Sequence, residues 1–157
     1  ISKGEVSQED SERVSNLLEI SRILLKVSVQ AKTLADQYHS KYENNIQLSE
    51  DATEGLEHLY NHVYESFTMA LDSIDVYNPQ ALEHIIRLSQ KSNRIENKLR
   101  KEHVKRLSRG ECSTDGGALY VDLISNLERI GYNARNISET NLSSLHEDFS
   151  DDFTVYD

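Results

Sequence analysis

His58 and His62 stand one helical turn apart, a spacing that suits a metal ion, with Glu54 and Glu65 close by on a helical wheel. At 100° per residue, however, Glu54, His58 and Glu65 fall opposite Leu56, Tyr60, Val63 and Phe67 and therefore face solvent. A di-iron carboxylate bundle needs inward Glu-x-x-His motifs on two helices. No Glu in this chain has a His three residues later. Cys112 is the single cysteine. It excludes an internal disulfide and a Cys-based zinc cluster, fits a reducing compartment, and has no neighbouring His to activate it. No order or spacing singles out a Ser-His-Asp set, and the phosphate loop G-x-x-x-x-G-K-[ST] is absent. Asp115-Gly116-Gly117, ahead of a helix, reads either as a seat for one anion or as a flexible helix entry. Asn136-Ile137-Ser138 and Asn141-Leu142-Ser143 match the N-glycosylation pattern, which matters only in a secreted protein, and nothing in the chain points to secretion. No catalytic residue is expected.

The strongest physical anomaly is electrostatic. Between Arg87 and Arg109 the chain carries nine basic residues against Glu96 and Glu102, a local charge of +7 inside a total of −10, leaving −17 for the remainder. Two readings follow. The segment either neutralises acidic neighbours through weak surface pairs, or presents an exposed basic stripe to an anion, a phospholipid surface or an acidic partner.

These residues need elements to position them, and the composition limits which. The chain has 157 residues, 37% hydrophobic and 28% charged, enough for one lean, elongated core. The acidic balance argues against a general nucleic-acid binder. Six Gly, one Pro and no Trp leave too little turn chemistry for a many-stranded sandwich or barrel. The longest strictly apolar runs are three residues, far short of the roughly 20 that a spanning helix needs. The chain opens on Ile rather than Met, and its first ten residues, mostly polar and acidic, give no signal peptide. It reads as a fragment, with room upstream for a targeting or membrane segment.

Four segments have helical period. The first places Val14, Leu17, Ser21, Leu24, Ser28, Ala31, Ala35 and Tyr38 on one stripe, opens on a Ser7/Asp10 capping box and stops at Asn44-Asn45. The second places Leu56, Tyr60, Val63, Phe67, Ala70, Ile74 and Tyr77 together, capped by Ser49. Asn78-Pro79 opens the third, with Ala81, Ile85, Leu88, Ser92, Ile95 and Leu99 inward and Gly110 as its left-handed cap. After a loop at 112–117, capped by Ser113 or Thr114, the fourth follows with Tyr120, Leu123, Leu127, Ile130, Ala134 and Ile137. Ser21, Ser28 and Ser92 would allow close helix approach, their hydroxyls bonded one turn back. The expected fold is all-α: an antiparallel bundle of four long helices over 1–143, with an acidic, disordered tail over 144–157.

Two stretches resemble a known family. Asn97 to Cys112 carries Arg100, His103, Arg106, Leu107 and Gly110, and Asp122 to Gly131 reads Asp-Leu-x-x-Asn-Leu-Glu-Arg-Ile-Gly. Both are similar to the PhoU-like cytosolic domain at the C-terminal end of bacterial sodium/phosphate cotransporter-family proteins. The resemblance is clear over about 80–140 and extends back to about 48. It implies a three-helix repeat preceded by one extra helix, the last of another repeat, with Leu17 to Ile20 as a worn copy of the motif.

PhoU proteins hold metal on the bundle surface through Glu/Asp-x-x-x-Asp. Here Glu128 keeps the first acid and Tyr132 replaces the second; the other copy reads Glu19 then Ile23, and the third-helix acid is replaced around Gln90 and Lys91. One carboxylate per helix is too few for a tight site, so any divalent or iron binding at Glu128 is expected to be weak or lost, and no cofactor is expected.

The resemblance implies a non-enzymatic cytosolic regulatory domain on the inner face of the membrane, part of a sodium/phosphate symporter-type transporter. Its contacts would be the transporter's own membrane domain or another PhoU-like domain, with a homo-oligomer compatible, no nucleic acid, and the membrane met only through the parent protein. Tyr132 and Arg135 beside Glu128, with Arg100, His103 and Arg106 on the basic helix, are the expected partner-binding residues; His103 equally suits packing near the third loop. A freestanding helical adaptor in phosphate signalling and a metal-binding bundle are the alternatives.

Overall fold

The computed structural model describes residues 7–150 apart from Asp75 and Tyr77, with 143–150 described by backbone alone. Four helices account for nearly all of it: α1 (Gln8–Glu43), α2 (Glu50–Asp72), α3 (Pro79–Ser108) and α4 (Thr114–Ser150). No strand occurs among the described residues.

The helix ends follow local chemistry. Ser7 Oγ accepts from the Asp10 amide at 3.0 Å and donates to the Asp10 carboxylate at 2.8 Å, so the expected N-cap forms with Asp10 on the Ser7 hydroxyl. Ser49 caps α2 through the Ala52 amide, and Asn78 caps α3 through the Ala81 amide at 3.0 Å, with Pro79 following it. Ser113 caps α4 through the Gly116 amide at 3.0 Å. Past α3, Gly110 takes φ +69°, where a side chain would clash with the backbone, and Glu111 N–H closes the turn onto the Arg106 carbonyl at 3.0 Å. Helix α4 runs on to Ser150, seven residues beyond the boundary expected at 143. Neither Gly nor Pro follows Gly131, and lengthening an established helix is cheap. The remaining tail, 151–157, lies outside the described residues.

The bundle is asymmetric. Helices α2, α3 and α4 pack mutually, whereas α1 packs on α4 alone. Gln30 with Asn133 and Gln37 with Asn126 set α1 antiparallel to α4, because one number rises as the other falls. Val63 against Gly131 and Ser73 against Asn141 rise together, so α2 and α4 run parallel. Helix α4 is accordingly buried on two sides. All six expected positions, Tyr120, Leu123, Leu127, Ile130, Ala134 and Ile137, are in the core, and so are Leu119, Ile124, Asn126, Asn133, Ser138 and Asn141. Burial of Asn141 places the second glycosylation pattern inside the fold.

On α3 the expected stripe holds, with Ser92 and Ile95 half-buried. Helix α2 is rotated from expectation: Leu59 and Ser66 go fully inward, Tyr60 is exposed and Phe67 half-buried, while Tyr77 lies outside the described residues. The largest departure is α1. Its core residues are Ile20, Ile23 and Val27 rather than the expected stripe, of which Val14, Leu17, Ser21, Ser28, Ala31, Ala35 and Tyr38 are exposed. Ser21 and Ser28 do bond one turn back, to the Leu17 and Leu25 carbonyls, but on the outside. The physical reason is polar. Positions 20, 23, 27, 30, 34 and 37 also recur every three or four residues, and Gln30 and Gln37 on that face accept hydrogen bonds from Asn133 and Asn126 at 3.1 and 3.2 Å. Turning α1 to its apolar stripe would strand both asparagines in the interior.

Leu59, 1% exposed, is expected to cost about 2–5 kcal/mol when replaced by Ala. Leu25→Ala, at a side chain 67% exposed, should stay within about 0.5 kcal/mol. Urea unfolding of the two variants checks which faces of α2 and α1 turn inward.

Candidate functional site

Glu128 lies in a shallow groove of about 230 Å³ between α2, α3 and α4, together with Tyr132 and Arg135. Arg135 ties its guanidinium to Glu139 one turn on, at 2.7 Å, and Tyr132 is 64% exposed. The α3 wall supplies Glu96, which sequence reasoning passed over in looking for a third-helix acid near Gln90 and Lys91. Arg100 joins the two carboxylates: its Nε donates to Glu96 at 2.7 Å and its Nη2 stands 3.8 Å from Glu128. Nη2 also donates to Ser125 Oγ at 3.1 Å, and Ser125 donates to the Val121 carbonyl at 2.9 Å. Burial raises the Glu128 pKa first, then the Glu96 charge and a hydrogen bond from Glu128 to Glu96, while Arg100 and Arg129 oppose the rise. Glu128 is thus biased toward its protonated form, with Arg100 as a guanidinium clamp across the two carboxylates opposing that bias.

This donor set does not fit a tightly held divalent or iron ion. Arg100 contacts both carboxylates and brings the positive charge a metal would supply, and the family's second acid is Tyr132. Among the described residues no group of three His, Cys, Asp or Glu side chains converges. In the other copy of the motif Glu19 pairs with Arg22 at 3.2 Å and Ile23 is in the core. His58 and His62 meet edge to face at 4.7 Å, with His62 Nδ1 on the His58 carbonyl at 3.0 Å. The two histidines therefore serve each other and the backbone.

The expected partner-binding residues separate into two groups. Arg100 joins Glu128, but His103 and Arg106 lie further along α3, at the loop end of the bundle. His103 is 4% exposed, so it does not lie on the surface; it packs at 5.1 Å on the Tyr120 ring. Arg106 is half-buried, its guanidinium 5.2 Å from the same ring. Burial lowers the His103 pKa first and the Arg106 charge second. The rule that cations belong outside missed this pocket. Its signal was Gly116-Gly117: a Cβ at Gly117 would stand 3.3 Å from the His103 ring, so glycine lets the first turn of α4 pack closely there.

The basic helix meets α2 and α4. Its ion pairs are mostly its own, Arg87 with Glu83 and Lys98 with Glu102, with Glu111 just past its end taking Arg109. Lys91, Arg94, Lys101 and Lys105 are exposed and make no ion pair with the described residues. With Lys98 they recur every three or four residues, so they form a single stripe on the solvent side.

The PhoU domain model matches residues 56–140, covering α2 from Leu56, all of α3 and most of α4. No curated protein and no solved structure matches the chain. No helix among the described residues is long and apolar enough to cross a membrane.

Two outcomes are expected. Elemental analysis of the purified protein should find no stoichiometric transition metal; tightly held metal that is lost on Glu128→Ala would overturn the guanidinium-clamp assignment. Because the folded His103 pKa lies below 6.5, its contribution is present above that pH and is lost as pH falls through the folded value. Acid-side destabilisation should therefore shrink in His103→Gln, measured by thermal unfolding across the pH range.

Proposed function

The chain belongs to the PhoU domain family, whose role is regulation of phosphate transport, and from that premise we propose that it is a non-enzymatic regulatory domain of a sodium/phosphate symporter-type membrane transporter. It acts by contact between helix surfaces on the cytoplasmic side of the inner membrane, against the transporter's membrane domain or another PhoU-like domain.

The observation that supports contact as the mechanism is a groove of about 340 Å³ where α1 and α2 flank α4 without closing on each other. Val27, Val63 and Leu127 line its floor, and Tyr38, Tyr60 and Tyr64 stand at its rim. The Tyr60 and Tyr64 rings are stacked at 5.8 Å. Elsewhere on α1, Val14, Leu18, Leu25 and Val29 are exposed as well. An apolar groove with a tyrosine rim matches the composition of protein interfaces, where aromatic rings bury large area at low entropic cost.

In the intact protein, Tyr60→Asp with Tyr64→Asp should abolish association with the membrane partner and alter phosphate uptake, with the thermal midpoint nearly unchanged because both rings are already exposed. Retained association removes the groove from the mechanism. The encoding reading frame tests the parent: several apolar segments of about 20 residues ahead of Ile1 support a transporter, and their absence sinks that reading.

A further inference from the structure

At the junction of α2, α3 and the start of α4, three buried polar atoms have no hydrogen-bond partner among the described residues: Nε and Nη2 of Arg106, and the hydroxyl of Tyr120. Tyr120 is 1% exposed. All three atoms belong to residues lining an inner cavity of about 20 Å³, with His103, Ser49 and Gly116 on its walls. The cavity adjoins a cleft of about 770 Å³ between α2 and α3, since Ser49, Arg106 and Glu111 border both. Lys98, Lys105 and Arg109 stand along the α3 wall of that cleft, facing Asp51 and Glu54 of α2.

The chemistry missing here is an acceptor. A guanidinium offers donors only and keeps its charge at every accessible pH. The Tyr120 phenol is pushed up by burial, against the close side-chain approach and the charge of Arg106, and so stays protonated; the two groups stand close without completing a hydrogen bond. His103, held neutral near pH 7 by burial and by Arg106, adds no second charge. The inner space accommodates one oxygen-sized group. A water there supplies acceptors but no charge, and of the carboxylates that border the cleft, Glu102 and Glu111 pair with Lys98 and Arg109 rather than with Arg106. The first turn of α4 borders the cavity through Gly116 and adds its partial positive charge.

We propose that this junction is an oxyanion-binding site, taking inorganic phosphate or a phosphate monoester, with one terminal oxygen between Arg106 and Tyr120 and the rest of the group at the cleft mouth near Lys105 and Arg109. Glu111, paired with Arg109 at 3.9 Å, borders the mouth and repels bare anions. Hydrogen phosphate brings a proton that it can donate to that carboxylate, whereas a halide brings none. The site lies at the loop end of the bundle, away from the α1–α2 groove, and stands or falls independently of the contact mechanism.

Inorganic phosphate is the probe. Thermal unfolding and phosphorus NMR of the whole chain, at ionic strength matched with sodium gluconate, should show a saturable rise in Tm and line broadening with phosphate. Arg106→Gln should weaken that binding by tenfold or more. Tyr120→Phe, which removes only the unpartnered hydroxyl and keeps the packed ring, should weaken it several-fold while folding as the parent does. A phosphate response equal to that of gluconate, or unchanged in Tyr120→Phe, overturns the site and leaves a water in the cavity. Chloride saturating as tightly at the same residues overturns the oxyanion assignment. A phosphomonoester, glycerol phosphate, run in parallel separates the two sources: tighter binding than phosphate assigns the cleft to an organic ligand, and weaker binding assigns it to the free ion.

Discussion

The α1–α4 contact depends on two amide pairs, Gln30 with Asn133 and Gln37 with Asn126, set seven residues apart on both helices. A buried amide that loses its partner costs more than a displaced methyl group, so these pairs decide which side of α1 turns inward. That choice propagates. With Ile20, Ile23 and Val27 committed to α4, the remaining apolar surface of α1 has nowhere to go but outward, and the groove toward α2 stays open. Helix α4, meeting α1 on one side and α2 with α3 on the other, becomes the axis on which every other element is placed.

What the sequence revealed follows from which forces are local. Caps at Ser7, Ser49, Asn78 and Ser113, and the left-handed Gly110, are settled by residues within a turn of each helix end, and all were readable. The α4 stripe was readable because a helix buried on two sides tolerates an error in the chosen face. The α1 stripe was misread because periodicity counts apolar residues and gives Gln30 and Gln37 no weight. Only the asparagines of α4, about a hundred residues away, give those glutamines a reason to be inside.

The same division holds at the candidate site. Glu128 was visible through its motif, and Tyr132 announced that the motif had changed. Glu96 was not visible, because pairing it with Glu128 requires the α3–α4 register, which no local rule supplies. Arg100, counted among surface cations, turned out to neutralise the pair, and Arg106, four residues further along α3 than Glu102, turns its charge into the interior. Of the nine cations in the basic segment, two therefore serve the inside of the bundle. The segment's excess charge is distributed by helix face: Arg100 and Arg106 look toward α4, Lys98 and Lys105 edge the α2–α3 cleft, and Lys91, Arg94 and Lys101 look to solvent.

The attachment of α1 through a single partner has a kinetic side. Gln30 and Asn133 are separated by 103 positions, so this contact closes a long loop and costs more chain entropy than the short connections within α2 to α4. Helices α2 to α4 are joined by short connections and complete one another's core. In the order of assembly α1 therefore docks last, and by the same reasoning it is the first cooperative unit to open, with amide protons that exchange through local opening while the three-helix body stays closed.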